Sequence, residues 1–191
     1  MAPLYSRAGD DGMTDLLGEG RVAKSDLRME TLGTIDEASA ALGLARSLSK
    51  VEDVKAAVIE MQRGLYHVMA EIAATVENAT IFESTGPDQV VMLEEQIEAF
   101  TGQVTLPSGF ILPGDTPASA AMDLARTMVR RAERRAVELF SRGELKNEQI
   151  LCYLNRFSSL CFVLEIRESQ GAGISSPTLA KNSVKKNQSR K

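Results

Sequence analysis

The stretch RTMVRRAERR, residues 126–135, places five arginines and one glutamate in ten positions. It lies inside a longer segment, from about Ala118 to Phe140, whose apolar residues recur with helical spacing. No segment of the sequence shows the sustained alternation of polar and apolar residues that is typical of a half-buried strand. The sequence therefore predicts an all-α fold that contains one arginine-rich helix.

Four further segments carry helical spacing, and the short connections between several of them favour antiparallel neighbours in a bundle. These predicted helices cover about Asp26 to Leu48, Val51 to Asn78, Gln89 to Thr101 and Asn147 to Ser169. Residues 1–20 are glycine-rich and polar, so no regular structure is expected there. The domain is expected to span 1–172, and 173–191 to form a basic, disordered tail.

Composition excludes several classes of function. The chain has 191 residues, 43% of them hydrophobic, which is enough for one sizeable core. Its formal net charge is −4, and five of its 22 basic residues lie in the last eleven positions, which argues against a general nucleic-acid binder. No apolar run approaches the roughly 18 residues that span a bilayer, and no secretory segment is recognisable, so a cytoplasmic protein without a membrane partner is expected.

The arginine helix indicates an anion site. Arg126, Arg130 and Arg134 are spaced by four residues, and Glu133 falls on the same face. A solvated face laced with salt bridges would be the simpler interpretation. However, three arginines on successive turns repel one another, and one glutamate cannot neutralise them. A polyphosphate could, because guanidinium groups bind phosphate oxygens in bidentate fashion.

The N-terminal stretch YSRAGDDGMT, residues 5–14, is a candidate second half of that site. Gly9 and Gly12 would let the backbone bend so that amide groups converge on an anion. Further donors come from the side chains of Ser6, Arg7, Thr14 and Lys24. The stretch is not a Walker A loop, because it lacks the terminal Gly-Lys followed by Ser or Thr.

Three isolated polar residues and two cysteines complete the candidates. Asp36 lies near the apolar stripe of the first helix, where a semi-buried carboxylate would need a cation such as one of the arginines. Asn155 could orient a ligand, and His67, the only histidine, is expected to be structural or solvated. Cys152 and Cys161 are about half a turn out of phase on one helix, so they cannot pair there and indicate a reducing compartment.

Six motifs together carry a specific resemblance. They are YSRAGDDGMT (5–14), AKSDLR (23–28), GTIDEASAALG (33–43), FILPGD (110–115), ARTMVRRAERR (125–135) and YLNRFSSLCFVL (153–164). In this order the set resembles the PduO-type ATP:cob(I)alamin adenosyltransferase family. The resemblance implies a ferritin-like bundle of five helices that assembles as a homotrimer, with an ATP and cobalamin site at each subunit interface.

The resemblance also implies roles for individual residues. Phe110 would pack against the lower face of the corrin, and Asp36 would pair with Arg130 across subunits. The loop that orders around ATP would contain Ser6, Arg7, Ala8, Gly9, Thr14 and Asp15, followed by Lys24. The arginine helix and the last helix would contribute Arg130, Arg131, Glu133, Arg134 and Asn155.

The implied reaction transfers the 5′-deoxyadenosyl group of ATP to cob(I)alamin and releases triphosphate, with Mg²⁺ on the phosphates. An electron-donor protein and an adenosylcobalamin-dependent enzyme are the implied protein partners. The chain departs from the family pattern at Asp115, Asp123 and Ser159, where a glycine, a histidine and an aspartate are usual. These departures leave an ATP-binding cobalamin carrier of the same fold as the alternative function.

Overall fold

A computed structural model describes residues 5–181 of the chain, and these form five long helices, one single-turn helix and a two-stranded sheet. The strands are β1 (Met13–Asp15) and β2 (Arg21–Ala23). The helices are α1 (Leu27–Leu48), α2 (Glu52–Ala73), α3 (Ala79–Phe82), α4 (Pro87–Thr101), α5 (Pro117–Ser141) and α6 (Gln149–Gly171). The predicted bundle of five helices is confirmed. No helix in 5–181 is both long and apolar enough to cross a membrane.

The ends of the helices follow local capping chemistry. The Asp26 side chain accepts a hydrogen bond from the backbone N–H of Arg28 at 2.8 Å, which satisfies one donor at the start of α1. At the start of α5, Thr116 and Ser119 bond reciprocally, and Pro117 occupies the first helical position, where no N–H is needed. Gly143, at φ 73°, takes the left-handed conformation just after α5.

Helix α5 lies between α1 and α6, while α2 packs on α1 and α4 packs on α6. Its buried stripe is made largely of alanines, which keep the side-chain layer thin and let both neighbours approach closely. The fully buried members of this stripe are Ala125, Val129, Ala132, Ala136 and Leu139. The opposite side of α5 carries the arginines, so packing against α1 and α6 fixes the direction in which the charged side chains point.

A buried arginine closes one end of the bundle. Arg28 donates to the backbone carbonyls of Ile72 at 2.5 Å and Ala74 at 3.1 Å, and to that of Glu144 at 2.8 Å. It therefore ties the start of α1 to the end of α2 and to the loop between α5 and α6. The sequence analysis did not assign this structural role to Arg28.

The N-terminal segment forms a hairpin, although no regular structure was predicted there. Met13 pairs with Ala23 and Asp15 with Arg21 in antiparallel register. Arg21 also contacts the Asp11 carboxylate at 2.8 Å, across the hairpin. Gly18, at φ 140°, lies so close to α2 that a β-carbon there would be 2.6 Å from the Thr75 hydroxyl oxygen.

The start of the C-terminal tail also differs from the prediction. Backbone hydrogen bonds join Leu112 N–H to the Thr178 carbonyl and Ala180 N–H to the Phe110 carbonyl, each at 2.7 Å. Asp115 accepts from the Thr178 hydroxyl at 2.7 Å. Residues 178–180 are therefore fixed on the loop before α5. The remaining part of the predicted disordered tail, 182–191, lies outside the described residues.

Candidate active site

The arginine cavity is a pocket of about 280 Å³ between α5 and α6, lined by Arg130, Glu133, Arg134, Val137 and Asn155. The Asn155 side-chain amide donates to Glu133 at 2.9 Å, and its oxygen accepts from Arg156 at 3.2 Å. The Arg134 guanidinium donates to the Arg130 carbonyl at 2.9 Å. The structure therefore brings together four residues that were predicted separately from two motifs.

The five arginines of 126–135 divide into two groups by their ion pairs. Three have acidic partners: Arg126 contacts Asp123, Arg131 contacts Glu37, and Arg135 lies near Glu138 and Glu30. Arg130 and Arg134 have no acidic ion-pair partner in the part of the chain that the structure describes. These two line the arginine cavity together with Glu133, so two arginines face one glutamate there and a net positive charge remains.

A second pocket, the aromatic cavity, lies further toward the start of α5 and has a volume of about 430 Å³. It is lined by Phe110, Ile111, Asp123, Arg126 and Phe162, together with the loop 107–109 and Pro113. Phe110 is 90% exposed, so its side chain is not part of the hydrophobic core. Its backbone is nevertheless fixed by the hydrogen bond from Ala180 at 2.7 Å.

The two cavities are neighbours along one helix. Arg126 in the aromatic cavity precedes Arg130 by four residues and Arg134 by eight, which corresponds to about 6 Å and about 12 Å along the axis of α5. The two cavities therefore lie on successive turns of the same helix. Arg126, Arg130 and Arg134 were predicted to share one face of the helix. In the structure, Arg126 lines the aromatic cavity, and Arg130 and Arg134 line the arginine cavity.

The predicted nucleotide loop has internal contacts of its own. The Lys24 ammonium donates to the Gly9 carbonyl at 2.7 Å, and its backbone N–H donates to the Gly12 carbonyl at 2.8 Å. Arg7 has a left-handed backbone at φ 63°. The other predicted loop residues, Ser6, Ala8, Thr14 and Asp15, belong to this same exposed or half-exposed segment. None of these residues lines the arginine cavity of its own chain.

Asp36 is exposed, so the expectation of a semi-buried carboxylate is wrong within one chain. The buried face of α1 is formed by Ile35, Ala38 and Leu42, and Asp36 lies about 100° around the helix from Ile35. Its surroundings are unusual for a surface acid. It lines an open apolar depression of about 520 Å³ together with Leu17, Met29, Leu32, Tyr66 and Met69.

The remaining candidates are His67, the two cysteines and Ser159, and none of them lines either cavity. His67 is exposed on α2, with its ring 5.7 Å from that of Tyr66. Both cysteines are free thiols, and burial raises the pKa of Cys161 well above its usual range. Ser159 is exposed on α6, one turn after Asn155. These positions show no reactive nucleophile.

Two residues of the aromatic cavity and its surroundings were missed from the sequence. Phe162 lines the cavity, and Glu165 is a buried carboxyl on α6 beside Asp123. Burial, followed by the neighbouring Asp123 carboxylate, raises the pKa of Glu165 to about 8. A signal for it was present, because Glu165 stands alone among Phe162, Leu164 and Ile166 in the most apolar part of the last helix.

Comparisons with known proteins agree on one family. The sequence profile described as cobalamin adenosyltransferase matches residues 4–168. The corrinoid adenosyltransferase of Bacillus subtilis (strain 168) is 39% identical over 163 residues, covering 83% of this chain and 82% of that protein. The corrinoid adenosyltransferase PduO of Citrobacter freundii is 34% identical over 170 residues, and the match covers 88% of this chain but only 50% of that relative.

Solved structures are similar to this chain over nearly its whole length. A variant of the PduO-type ATP:corrinoid adenosyltransferase from Lactobacillus reuteri, complexed with cobalamin and ATP, superposes with a TM-score of 0.86 at 29% identity. That match covers 94% of this chain and 97% of the other. Another variant, complexed with ATP, gives a TM-score of 0.84 at 29% identity, covering 93% and 100% of the two chains.

Proposed function

Because the chain belongs to the cobalamin adenosyltransferase family, it is an enzyme that adenosylates a corrinoid with ATP, and we propose that the arginine and aromatic cavities are where it does so. The arginine cavity takes the triphosphate, and the aromatic cavity takes the corrin ring. This assignment rests on one contrast between the cavities. Arg130 and Arg134 in the arginine cavity have no acidic ion-pair partner among residues 5–181, whereas Arg126 in the aromatic cavity is paired with Asp123.

The chemistry requires no nucleophile from the protein. The Co(I) electron pair attacks the ribose C5′ of ATP, the cobalt–carbon bond forms, and the C5′–oxygen bond breaks with its electrons leaving on the triphosphate. Positioned cations stabilise the charge that develops on a leaving group. Arg130 and Arg134 supply that charge, and Asn155 holds Glu133 in place beside them at 2.9 Å.

The aromatic cavity would bind the corrin through apolar contact. Phe110 is available for this role because its ring is solvent-exposed while its backbone is held by the tail. A ring against the lower face of the corrin excludes water or a base from the cobalt. Four-coordinate cob(II)alamin is easier to reduce than the five-coordinate form, so this wall favours formation of the Co(I) nucleophile. The electron comes from a donor, which we propose to be a partner protein.

A homotrimer would complete the site. The nucleotide loop does not line the arginine cavity of its own chain, which supports a site in which a neighbouring subunit supplies the loop residues that contact ATP. Asp36, exposed within an apolar depression, and Arg130, without an acidic partner among residues 5–181, are complementary. Their pairing between subunits would bury the depression, and the five N–H donors of Arg130 could serve both Asp36 and a phosphate oxygen.

Mg²⁺ would accompany ATP on its phosphate oxygens. Among the described residues, no group of three His, Cys, Asp or Glu side chains is arranged to hold a metal ion. We propose that the nucleotide carries most of the ligands of this ion, because Mg²⁺ commonly binds substrate phosphates together with one or two carboxylates. Two free thiols fit a reducing compartment, and we propose the cytoplasm.

The test is a single-turnover assay of pre-reduced cob(I)alamin with ATP, in which both loss of the cob(I)alamin absorbance and release of intact triphosphate are measured. Wild-type protein should give one triphosphate per cobalt–carbon bond. Arg134→Ala should lower the rate by about 10- to 150-fold, because a hydrogen bond to a charged group contributes about 1.5 to 3 kcal/mol.

Arg63→Ala is the matched control, since Arg63 is an exposed helical arginine that pairs with Glu60 on α2, outside both cavities. It should retain the wild-type rate. Equal losses in both variants would show that the arginine cavity is not the ATP site. Binding of ATP and cobalamin without formation of a cobalt–carbon bond would instead identify a carrier.

A further inference from the structure

Behind the aromatic cavity lies a buried carboxyl pair that the proposed reaction does not use. Glu165 on α6 is only 3% exposed, and its Oε2 atom has no hydrogen-bond partner among the described residues. The neighbouring acid is Asp123 on α5, whose side chain is 14% exposed and lines the cavity. Two ionised carboxylates at this depth would repel each other, and neither could donate a hydrogen bond to the other.

One shared proton removes the repulsion between the Glu165 and Asp123 carboxylates. When Glu165 is neutral, its carboxyl becomes a donor, and Asp123 is the acceptor within reach. The Glu165 carboxyl, which has no hydrogen-bond partner on Oε2 among the described residues, then donates to Asp123. Such sharing of one proton by two carboxyl groups is the usual outcome when a low-dielectric site brings them together.

Asp123 in turn holds an arginine. Its Oδ1 accepts a hydrogen bond from Arg126 Nε at 2.7 Å, which leaves the two terminal nitrogens of that guanidinium without a hydrogen-bond partner in residues 5–181. Arg126 lines the aromatic cavity beside Phe110. Its terminal nitrogens are therefore available to an acceptor on a cavity ligand, such as the carbonyl oxygens of the amide side chains around a corrin ring.

We propose that Glu165 is a positioning residue for the corrinoid: as a neutral acid it donates to Asp123, and Asp123 thereby holds Arg126 with its guanidinium directed at the amide carbonyls of the corrin periphery. This inference rests on the proposed function, because it assigns the aromatic cavity to the corrinoid. It explains why this chain tolerates an aspartate at 123, since Asp123 here links a buried acid to a cavity arginine.

Loss of the shared proton should weaken corrinoid binding at alkaline pH. The charged groups that act on Glu165 are Asp123 and Arg126 of α5 and Asp115 of the preceding loop, and Cys161 is the titratable neighbour on α6. Nearby charges of α2 and α4 are engaged elsewhere, Asp53 with Arg167 and Glu94 with Arg156. Because burial and Asp123 raise the pKa of Glu165 from 4.5 to about 8, the carboxyl is neutral in the folded protein at pH values well below 8, and its contribution to binding is lost as pH rises through about 8.

The experiment measures the affinity for cob(II)alamin by titration calorimetry, with ATP present, between about pH 7 and about pH 9. At about pH 9, only about one molecule in ten would keep a neutral Glu165, so the wild-type dissociation constant should rise by about tenfold across this range. Glu165→Gln, whose amide is a permanent neutral donor, should bind as tightly as wild type at neutral pH and show no alkaline loss. Glu168→Gln is the matched control.

Glu168 is equally buried on α6 but accepts from Ser49 at 2.6 Å, away from the cavity, so its variant should keep the wild-type pH profile. Asp123→Asn should also flatten the profile, because an amide at 123 can donate to an ionised Glu165. The inference is overturned if Glu165→Gln, or Asp123→Asn where the first variant does not fold, retains the wild-type alkaline loss. It is also overturned if wild type shows none. Absence of cob(II)alamin binding at every pH would instead refute the proposed function itself.

Discussion

The two cavities along α5 contain the same residue type in opposite electrostatic settings. In the arginine cavity, Arg130 and Arg134 lack acidic partners among residues 5–181. In the aromatic cavity, Arg126 is neutralised by Asp123, and the walls are phenylalanine, isoleucine and proline. The first suits a highly charged ligand, and the second suits a large, mostly apolar ring. The pattern of ion pairs therefore distinguishes the two substrates more clearly than the arginine spacing does.

The largest effect is expected from Asp36→Asn, which would remove the partner of Arg130 between subunits. Removing one member of a buried, hydrogen-bonded interfacial pair costs about 2 to 5 kcal/mol, much of it from the charge left without a partner. Sedimentation velocity should show trimers dissociating at higher protein concentrations than for wild type, and activity should fall with them.

Glu37→Gln is the control for that comparison, because Glu37 is adjacent but pairs with Arg131 of its own chain. Its assembly should be close to that of wild type. If Asp36→Asn has the sedimentation behaviour and turnover of the wild type, Asp36 and Arg130 do not form an ion pair between subunits.

Arg130→Ala and Arg135→Ala compare an arginine that has no acidic ion-pair partner among residues 5–181 of its own chain with one that lies near two acids. Arg130→Ala should reduce kcat/KM for ATP by about 10- to 150-fold, because it removes a charge-assisted contact to phosphate. Arg135 already lies near Glu138 and Glu30, so its replacement should cost less than about 1 kcal/mol. Similar losses in steady-state assays of both variants would mean that ion pairing does not separate binding from structural arginines.

Phe110→Ala tests the apolar cavity. Deleting a ring that becomes buried on binding should weaken cob(II)alamin affinity by about 10- to 100-fold. The melting temperature should hardly change, because the ring is 90% exposed in the chain alone. The spectrum of bound cob(II)alamin should lose its four-coordinate component. Leu112→Ala, in the same loop and 50% exposed, should keep it. A large fall in melting temperature with an unchanged spectrum would contradict the assignment.

The smallest effect is expected from Thr178→Val, which removes the hydroxyl that donates to Asp115 at 2.7 Å. This contact helps to fix the loop that carries Phe110, so corrinoid KM should rise by about two- to tenfold, the range expected for one hydrogen bond. KM for ATP should be unaffected. A change confined to KM for ATP would show that the tail contact serves the arginine cavity instead.

Periodicity predicted the long helices well, because each buries a continuous apolar stripe that is encoded locally. It failed where distant segments determine the backbone. Helix α2 was predicted to reach Asn78 but ends at Ala73. The backbone carbonyl of Leu17 accepts a hydrogen bond from the Thr75 N–H at 3.1 Å, and the backbone N–H of Leu17 donates to the Ala73 carbonyl at 2.9 Å, so these groups are taken from the helix. The hairpin that carries Leu17 was missed for a different reason: each strand has only three residues, too few to show an alternating pattern.

Motif spacing predicted the residues of the arginine cavity, since Arg130, Glu133 and Arg134 lie on consecutive turns of one helix. It could not show that Arg131 has a partner within the chain, because Glu37 lies on another helix, whereas the pair of Asp123 and Arg126, three residues apart on α5, is one that spacing could have indicated. The burial of Glu165 likewise depends on how α6 packs against α5. The roles of the nucleotide-loop residues remain predictions.

The most direct test of the divided site is calorimetric binding of ATP and of cob(II)alamin, each measured separately, to wild type, Arg134→Ala and Phe110→Ala. We expect opposite selectivity: Arg134→Ala should lose affinity for ATP by about 10- to 150-fold and keep its affinity for cob(II)alamin, whereas Phe110→Ala should lose affinity for cob(II)alamin and keep its affinity for ATP. Parallel loss of both ligands in either variant, or loss of the opposite ligand, would contradict the assignment of triphosphate to the arginine cavity and corrin to the aromatic cavity.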